Sequence, residues 1–386
     1  MMRFRAVCSL LLLAGVVRAA DEMTVYDLLA PATRSFAITY DTSTSRAGAT
    51  ALFNVIRTGA EVSAIRVVDR STGKELAWKL VTGEQARAHP FGPVNAAAQA
   101  RYIMAQLARP AARGGESRVR IFKTYKDPAS YRESGDQIVF ERSFSIRRNA
   151  IVLPAGYRLA SCSAPAMVST VDGRVRVSVV NDRDDAMLVR VIASRGAAGA
   201  ATAHRAEEDR EITYWLLEPE THRFRIAHEF TVSRPGQKHV HNFVRQGSTV
   251  SDAVMTNLDT GAELRTSHVR GREVNALGYY PEPVADDAVV VQGDLEKPLA
   301  AGESVRLRVT EVYTDAAGYG LREGELFWDR TLGRPRNQVV LPKGWMLVAA
   351  SPGAIVSRDA DGRIVCRFAN PRSDSLAVSL RARRLP

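Results

Sequence analysis

The sequence predicts an all-β fold made as a tandem duplication of a β-sandwich-type unit, in two similar repeats of about 175 residues each. Three observations predict it: a motif that returns at a fixed distance, apolar residues that alternate with polar ones, and glycine-bearing turn pairs that recur with the motif.

The motif is Arg148-Asn149-Ala150-Ile151-Val152-Leu153-Pro154-Ala155-Gly156-Tyr157. It returns as Arg336-Asn337-Gln338-Val339-Val340-Leu341-Pro342-Lys343-Gly344-Trp345, a separation of 188 (336 − 148). The same offset relates Val25 to Thr213, Phe36 to Phe224, Arg46 to Arg234, Asn54 to Asn242 and Gly59 to Gly247. Register loosens near Gly115, returns at Tyr125/Tyr313 and Asp127/Asp315, and becomes 189 from Asp172/Asp361 onward. One register held over so many positions marks an internal duplication. The repeats are expected over 22–195 and 210–386, joined by a flexible linker over 196–209 rich in glycine and alanine.

Within each repeat the period is two. Phe36, Ile38 and Tyr40 alternate with Ala37 and Thr39, and Val305, Leu307 and Val309 alternate with Arg306 and Arg308. Such alternation puts apolar side chains on one sheet face and is expected to leave the arginines in water. Thr-Gly pairs at 72–73 and 260–261, and Asp-Gly pairs at 172–173 and 361–362, supply hairpin turns. Roughly a dozen short strands fit each repeat at the 8–12-residue spacing of sandwiches. That exceeds one minimal sandwich, so each repeat is expected to divide into a larger lobe, to about Asp127, and a smaller one carrying the motif. One short helix is expected, in the alanine-rich Pro93–Met104 segment.

Residues 1–19 read as a signal peptide. Arg3 and Arg5 precede a short leucine-rich apolar run, and Val17-Arg18-Ala19 offers a cleavage site. The mature chain is therefore expected to be exported, to the periplasm or outside the cell, with no transmembrane segment after cleavage. Lys and Arg total 53 against 42 Asp and Glu, but no basic run concentrates the excess, which argues against a nucleic-acid partner. Cys162 and Cys366 occupy different repeat positions. Cys366 reads as a small core-facing residue, and no disulfide framework is indicated.

The motif itself reads as structural. Proline ends a buried strand (Pro154, Pro342), glycine turns the chain (Gly156, Gly344), and Arg148, Asn149, Arg336 and Asn337 are expected to hold the turn by binding backbone carbonyls. Tyr125, Asp127 and Tyr131, with Tyr313, Asp315 and Tyr319, read in the same way. Differences between the repeats point more directly to function. His239 and His241 are two apart on a predicted strand, with His228 on the strand before, expected as its hairpin neighbour. The counterparts of the three in repeat one are Ala51, Phe53 and Tyr40. Three such imidazoles are the donor set for Zn or Cu.

No nucleophile elbow, His-Glu-x-x-His, phosphate loop or dinucleotide fingerprint occurs. No catalytic or cofactor-binding residue is indicated, and no cofactor apart from that metal. The expected function is an exported, non-catalytic binding or scaffolding module with a protein or envelope polymer as partner. Alternatives are a metal-binding protein or metal-dependent hydrolase using the repeat-two histidines, and an accessory domain pair of an envelope enzyme.

Overall fold

A computed structural model describes residues 21–198, 204–280 and 282–385. The predicted leader and residues 199–203 of the linker lie outside them. The described chain is nearly all β, with 29 strands and two short α-helices. No helix among the described residues is long and apolar enough to cross a membrane.

The two repeats have the same topology. Repeat one has a seven-stranded sheet in the order Met167–Val171, Arg174–Val180, Arg148–Val152, Met23–Leu28, Ser35–Thr44, Ser117–Lys126, Glu61–Asp69. Repeat two lays out Ile355–Arg358, Ile364–Ala369, Arg336–Val340, Glu211–Leu216, Arg223–Val232, Val305–Thr314, Thr249–Asn257, with Ala262–Glu263 added at the edge. The counterpart of that added strand is a single bridge between Val68 and Glu75. In both repeats the motif strand lies inside the sheet and runs parallel to the first strand of its repeat. All five residues of Arg148–Val152 are buried, which is why the motif reads as a continuous apolar run and not as an alternation.

A four-stranded sheet covers one end of each large sheet. In repeat one this packs Tyr26 and Phe36 against Phe140 and Phe144; in repeat two it packs Tyr214 and Phe224 against Trp328. A three-stranded sheet covers the other end: Ala51–Ile56, Arg101–Gln106 and Trp78–Thr82 in repeat one, His239–Phe243, Val289–Asp294 and Arg265–Arg270 in repeat two. In repeat two this end has its own core of Phe230, Val240, Met255 and Leu307. Both lobes thus share the large sheet. The division expected near Asp127 separates two ends of one sheet, not two segments of chain.

The helix falls elsewhere than expected. Pro93–Met104 holds turns and the start of a strand, whereas helices form at Gly83–Ala88 and Gly271–Asn275, 188 residues apart. Thr82 caps the first by accepting from the Gln85 backbone while the Gln85 side chain accepts from Thr82. The alanines near 96–98 pack over this helix instead of forming one, with Ala86 and Ala96 buried together. Small side chains are needed there because the backbones approach closely. Cys162 and Cys366 are both free, and Cys366 is fully buried in the repeat-two core.

Candidate functional site

The boundary between the repeats is a buried network of ions. Arg306, expected in water, has a relative exposure of 1%. The alternation that places it on the outer sheet face is real, but the partner repeat and the linker cover that face. Arg306 meets Asp209 at 2.8 Å, Glu229 at 3.3 Å and Glu116 of repeat one at 3.6 Å. Its counterpart Arg118 donates to both carboxylate oxygens of Asp259 in repeat two, at 2.6 and 2.8 Å, and to Ser304 Oγ at 3.2 Å. Glu116 and Ser304 hold the same repeat position, so each arginine reaches across to the same place in the other half. That reciprocity is the mark of a two-fold, self-complementary interface. Arg120–Asp41 and Arg308–Glu229, each at 2.6 Å, flank it in matching positions.

Electrostatics differ within the network. Burial opposes ionisation of Asp209, yet Arg306 and a hydrogen bond with Thr231 hold its carboxyl well below the ordinary range. Burial raises Glu116 to about 7, Asp21 pushes it the same way, and Arg306 only partly offsets them. Residues 204–209 are not a free tether. Arg205 donates to the carbonyls of Arg372 and Gly333 at 2.8 and 2.7 Å, while the carbonyls of Glu207 and Glu208 accept from Arg148 and Arg336 at 2.6 and 3.0 Å.

The motif side chains therefore have two destinations. Asn149 and Asn337 each donate to the carbonyl three residues before them, Ile146 and Arg334, at 2.9 and 2.8 Å. Arg148 and Arg336 leave their own turns and bind the linker, Arg148 also reaching the Asp21 carbonyl and Arg336 the Glu211 carboxylate at 3.4 Å. Pro154 and Pro342 follow the strand ends, and Gly156 and Gly344 take φ of 77° and 82°. Asp127 braces its loop by accepting from Ser130 and Arg142; Asp315 does so with Gly318 and Arg330.

The three histidines are not brought together. Strand Arg223–Val232 pairs with Glu211–Leu216 and Val305–Thr314, so His228 is no hairpin neighbour of His239–Phe243, which belongs to the three-stranded sheet. The hairpin expected from adjacency in sequence fails because strand Val305–Thr314 takes that place in the ladder. Among the described residues no group of three or more His, Cys, Asp or Glu is placed to hold a metal ion. His228 is a core residue, with its ring 4.7 Å from Phe230. Burial, followed by the nearby Arg334, drives its pKa well below the ordinary histidine value. Near it Asn242 donates to Glu311 at 2.7 Å, and burial raises that carboxyl to about 7. In repeat one the same positions carry Asn54 and Lys123, also hydrogen-bonded, and burial lowers that ammonium to about 7.

His239 and His241 instead join a hydrogen-bonded chain on the outer face of the small sheet. Tyr280 Oη lies 3.2 Å from His241 Nδ1, and His241 Nε2 lies 3.1 Å from Gln292 Oε1. The Gln292 amide donates to Asp294 at 3.2 Å, and Asp294 lies 2.8 Å from His239 Nδ1. Gln292 Oε1 can only accept, so His241 Nε2 carries the proton. A neutral ring then accepts at Nδ1 from the tyrosine hydroxyl. Burial, outweighing the Gln292 contact, keeps that ring below the ordinary histidine pKa. Phe243 and Tyr280 stack edge to face at 5.3 Å, and Tyr279 packs under Arg234. Repeat one has Gly92, Phe53, Met104, Gln106 and Ala51 at the five positions of this chain. Reading by spacing found the histidines; Tyr280, Gln292 and Asp294 were legible only as departures from the repeat.

No family model and no curated protein matches the chain. Among solved structures, the M1 zinc metallopeptidase of Deinococcus radiodurans aligns at 16% identity and a TM-score of 0.28, over 44% of this chain and 41% of that one. The alignment thus spans less than half of the peptidase. The C-terminal domain of the Streptococcus pyogenes antigen I/II-family protein AspA aligns at 7% identity and a TM-score of 0.19, over 81% of this chain and 90% of that one. Both are too distant to define a fold family.

Proposed function

We propose that the protein is an exported, non-catalytic binding module of the cell envelope or extracellular space. In this reading the two repeats act as one body, and the outer face of the small sheet in repeat two recognises an envelope polymer or a protein. The observation that carries it is the divergence of that face: positions that in repeat one hold Ala51, Phe53, Gly92 and Met104, with Gln106 the one polar residue, have become a connected row of hydrogen-bonding groups edged by aromatic rings, Tyr280 among them exposed. Rows of polar groups beside aromatic rings suit ligands that offer hydroxyl or amide groups and an apolar face. Glu116, Lys123, His228 and Glu311, displaced by burial, are all enclosed, while on the face itself burial shifts His241 and Tyr280 toward their neutral forms, which suits hydrogen bonding to a ligand.

The test is co-sedimentation of the mature protein with purified envelope polymer, alongside cell fractionation of the full chain. Wild type is expected in the exported fraction and in the pellet, with binding reduced at least about tenfold in Tyr280→Ala and His239→Ala. Retention in the cytoplasm, or equal pelleting by both variants, would sink the proposal.

A further inference from the structure

The mouth of the sandwich, where the motif strand ends, is built differently in the two repeats. In repeat one Asp27 lies beside Val152 in the parallel ladder, so next in register the Leu28 carbonyl faces Pro154, which has no N–H to give. Arg174 fills the gap. Its guanidinium donates to Leu153 O at 2.8 Å and Leu28 O at 3.2 Å, and pairs with Asp27.

Repeat two has the same register, with Trp215 beside Val340 and the Leu216 carbonyl facing Pro342. Two substitutions redirect the arginine. Asp27 is matched by Trp215, which removes the inner carboxylate, and Val171, which lies across the hairpin from Arg174, is matched by Asp359, which adds an outer one. Arg363, the counterpart of Arg174, accordingly turns outward to Asp359 at 2.8 Å and Asp361 at 3.3 Å. What is left is an open cleft of about 520 Å³ lined by Leu216, Leu217 and Pro342, by Glu218 and Asp361, and by Lys343 and Arg363 itself.

We propose that this cleft receives an arginine side chain from a partner polypeptide, its guanidinium taking the place that Arg174 holds in repeat one. The occupant is specified by the molecule's own other half: Leu216 and Leu341 hold the register positions of Leu28 and Leu153, whose carbonyls a planar guanidinium bridges. A lysine ammonium cannot match two such acceptors as a fixed fork. Leucine and proline in the lining suit the methylenes of an arginine stem. The carboxylates of Glu218 and Asp361 already pair with Arg384 and Arg363, so the bridged carbonyls and not free charge specify the guanidinium. Lys343 and Arg363 in the lining disfavour further positive charge, so the site fits an isolated arginine and not a basic run. This cleft lies apart from the His241 face, and the inference does not depend on it.

The experiment is calorimetric titration of the mature protein with an end-capped pentapeptide having arginine between glycines, and with the same peptide bearing citrulline or lysine. Arginine is expected to saturate the site, with citrulline and lysine at least about tenfold weaker. Trp215→Asp combined with Asp359→Val restores the repeat-one pair, draws Arg363 inward and should abolish binding without lowering the melting temperature. Leu217→Arg, which supplies a guanidinium in cis, is the second variant and should also abolish it. Equal affinity for citrulline, no heat at millimolar peptide, or undiminished binding by both variants would overturn the proposal. Free arginine binding as tightly as the peptide would overturn the assignment to a polypeptide.

Discussion

Arg118 and Asp259, 141 residues apart, meet at 2.6 and 2.8 Å with both side chains buried where the two repeats join. A buried ion pair costs much of its Coulombic gain in lost hydration, so its presence is weak evidence for stability, but removing one partner leaves a charge stranded. Asp259→Ala should therefore destabilise the protein by about 3–5 kcal/mol in urea, whereas Arg118→Met combined with Asp259→Leu should cost much less. A single variant as stable as wild type would show that the boundary is wet and open in solution.

Lys123 and Glu311 hold the same repeat position with opposite charge, each against an equivalent asparagine and each held near neutrality by burial at about 7. The signs follow from linkage. A carboxyl raised in the folded state stabilises while protonated, so the Glu311 contribution is present below pH 4.5 and is lost as pH rises to about 7. An ammonium lowered in the folded state is penalised while charged, so stability rises between about pH 7 and 10.5 at Lys123. Glu311→Gln should gain on wild type as pH rises through the first window, and Lys123→Met should lose its advantage through the second. Chemical denaturation at pH 4, 7 and 10 reads both differences; parallel pH profiles would refute the assignment.

Gly83 and Gly271 open the two short helices, and a Cβ on either would lie 1.8 or 1.9 Å from a backbone carbonyl oxygen, of Ala97 or Ala285. Neither neighbour is a side-chain tip that can swing away. Alanine at either place should cost about 3 kcal/mol, the upper end of ordinary overpacking. Gly156→Ala meets only open space and should cost about 1–2 kcal/mol, the penalty of a left-handed backbone. Thermal unfolding of the three variants checks the order, and a reversed order would refute it.

The sequence carried the fold through period and repetition, and lost what depends on non-local pairing. The alternation at Val305–Val309 identified the strand and its inward face, yet could not show that a second copy of the unit covers Arg306. The duplication contained the clue, since Arg118, Arg120 and Asp41 recur as Arg306, Arg308 and Glu229; charge kept in register in both halves is more than a solvated face requires. His228 failed for a similar reason. Ladder neighbours were inferred from chain adjacency, whereas Val305–Thr314, more than seventy residues on, takes that place. The helix was misplaced because alanine content indicates helical propensity and close packing alike, and at Ala96 packing decides.

The chain from Tyr280 to His239 makes a prediction about a single proton. With His241 neutral and its Nε2–H given to Gln292, the Tyr280 hydroxyl must donate to Nδ1. Tyr280→Phe removes that donor and should cost about 1 kcal/mol, the usual net value of one hydrogen bond. Gln292→Glu places a carboxylate where a neutral acceptor stood and so favours the charged ring, offsetting the burial that holds its pKa down. Nitrogen-15 chemical shifts should report protonated Nε2 and bare Nδ1 in wild type at pH 7. They should also show a higher His241 pKa in Gln292→Glu and an unchanged tautomer in Tyr280→Phe, because Gln292 still requires a donor. Protonated Nδ1 in wild type would reverse both bonds of His241, since Nδ1 would then donate to the Tyr280 hydroxyl, Nε2 would accept from a flipped Gln292 amide, and Asp294 would lose its glutamine donor.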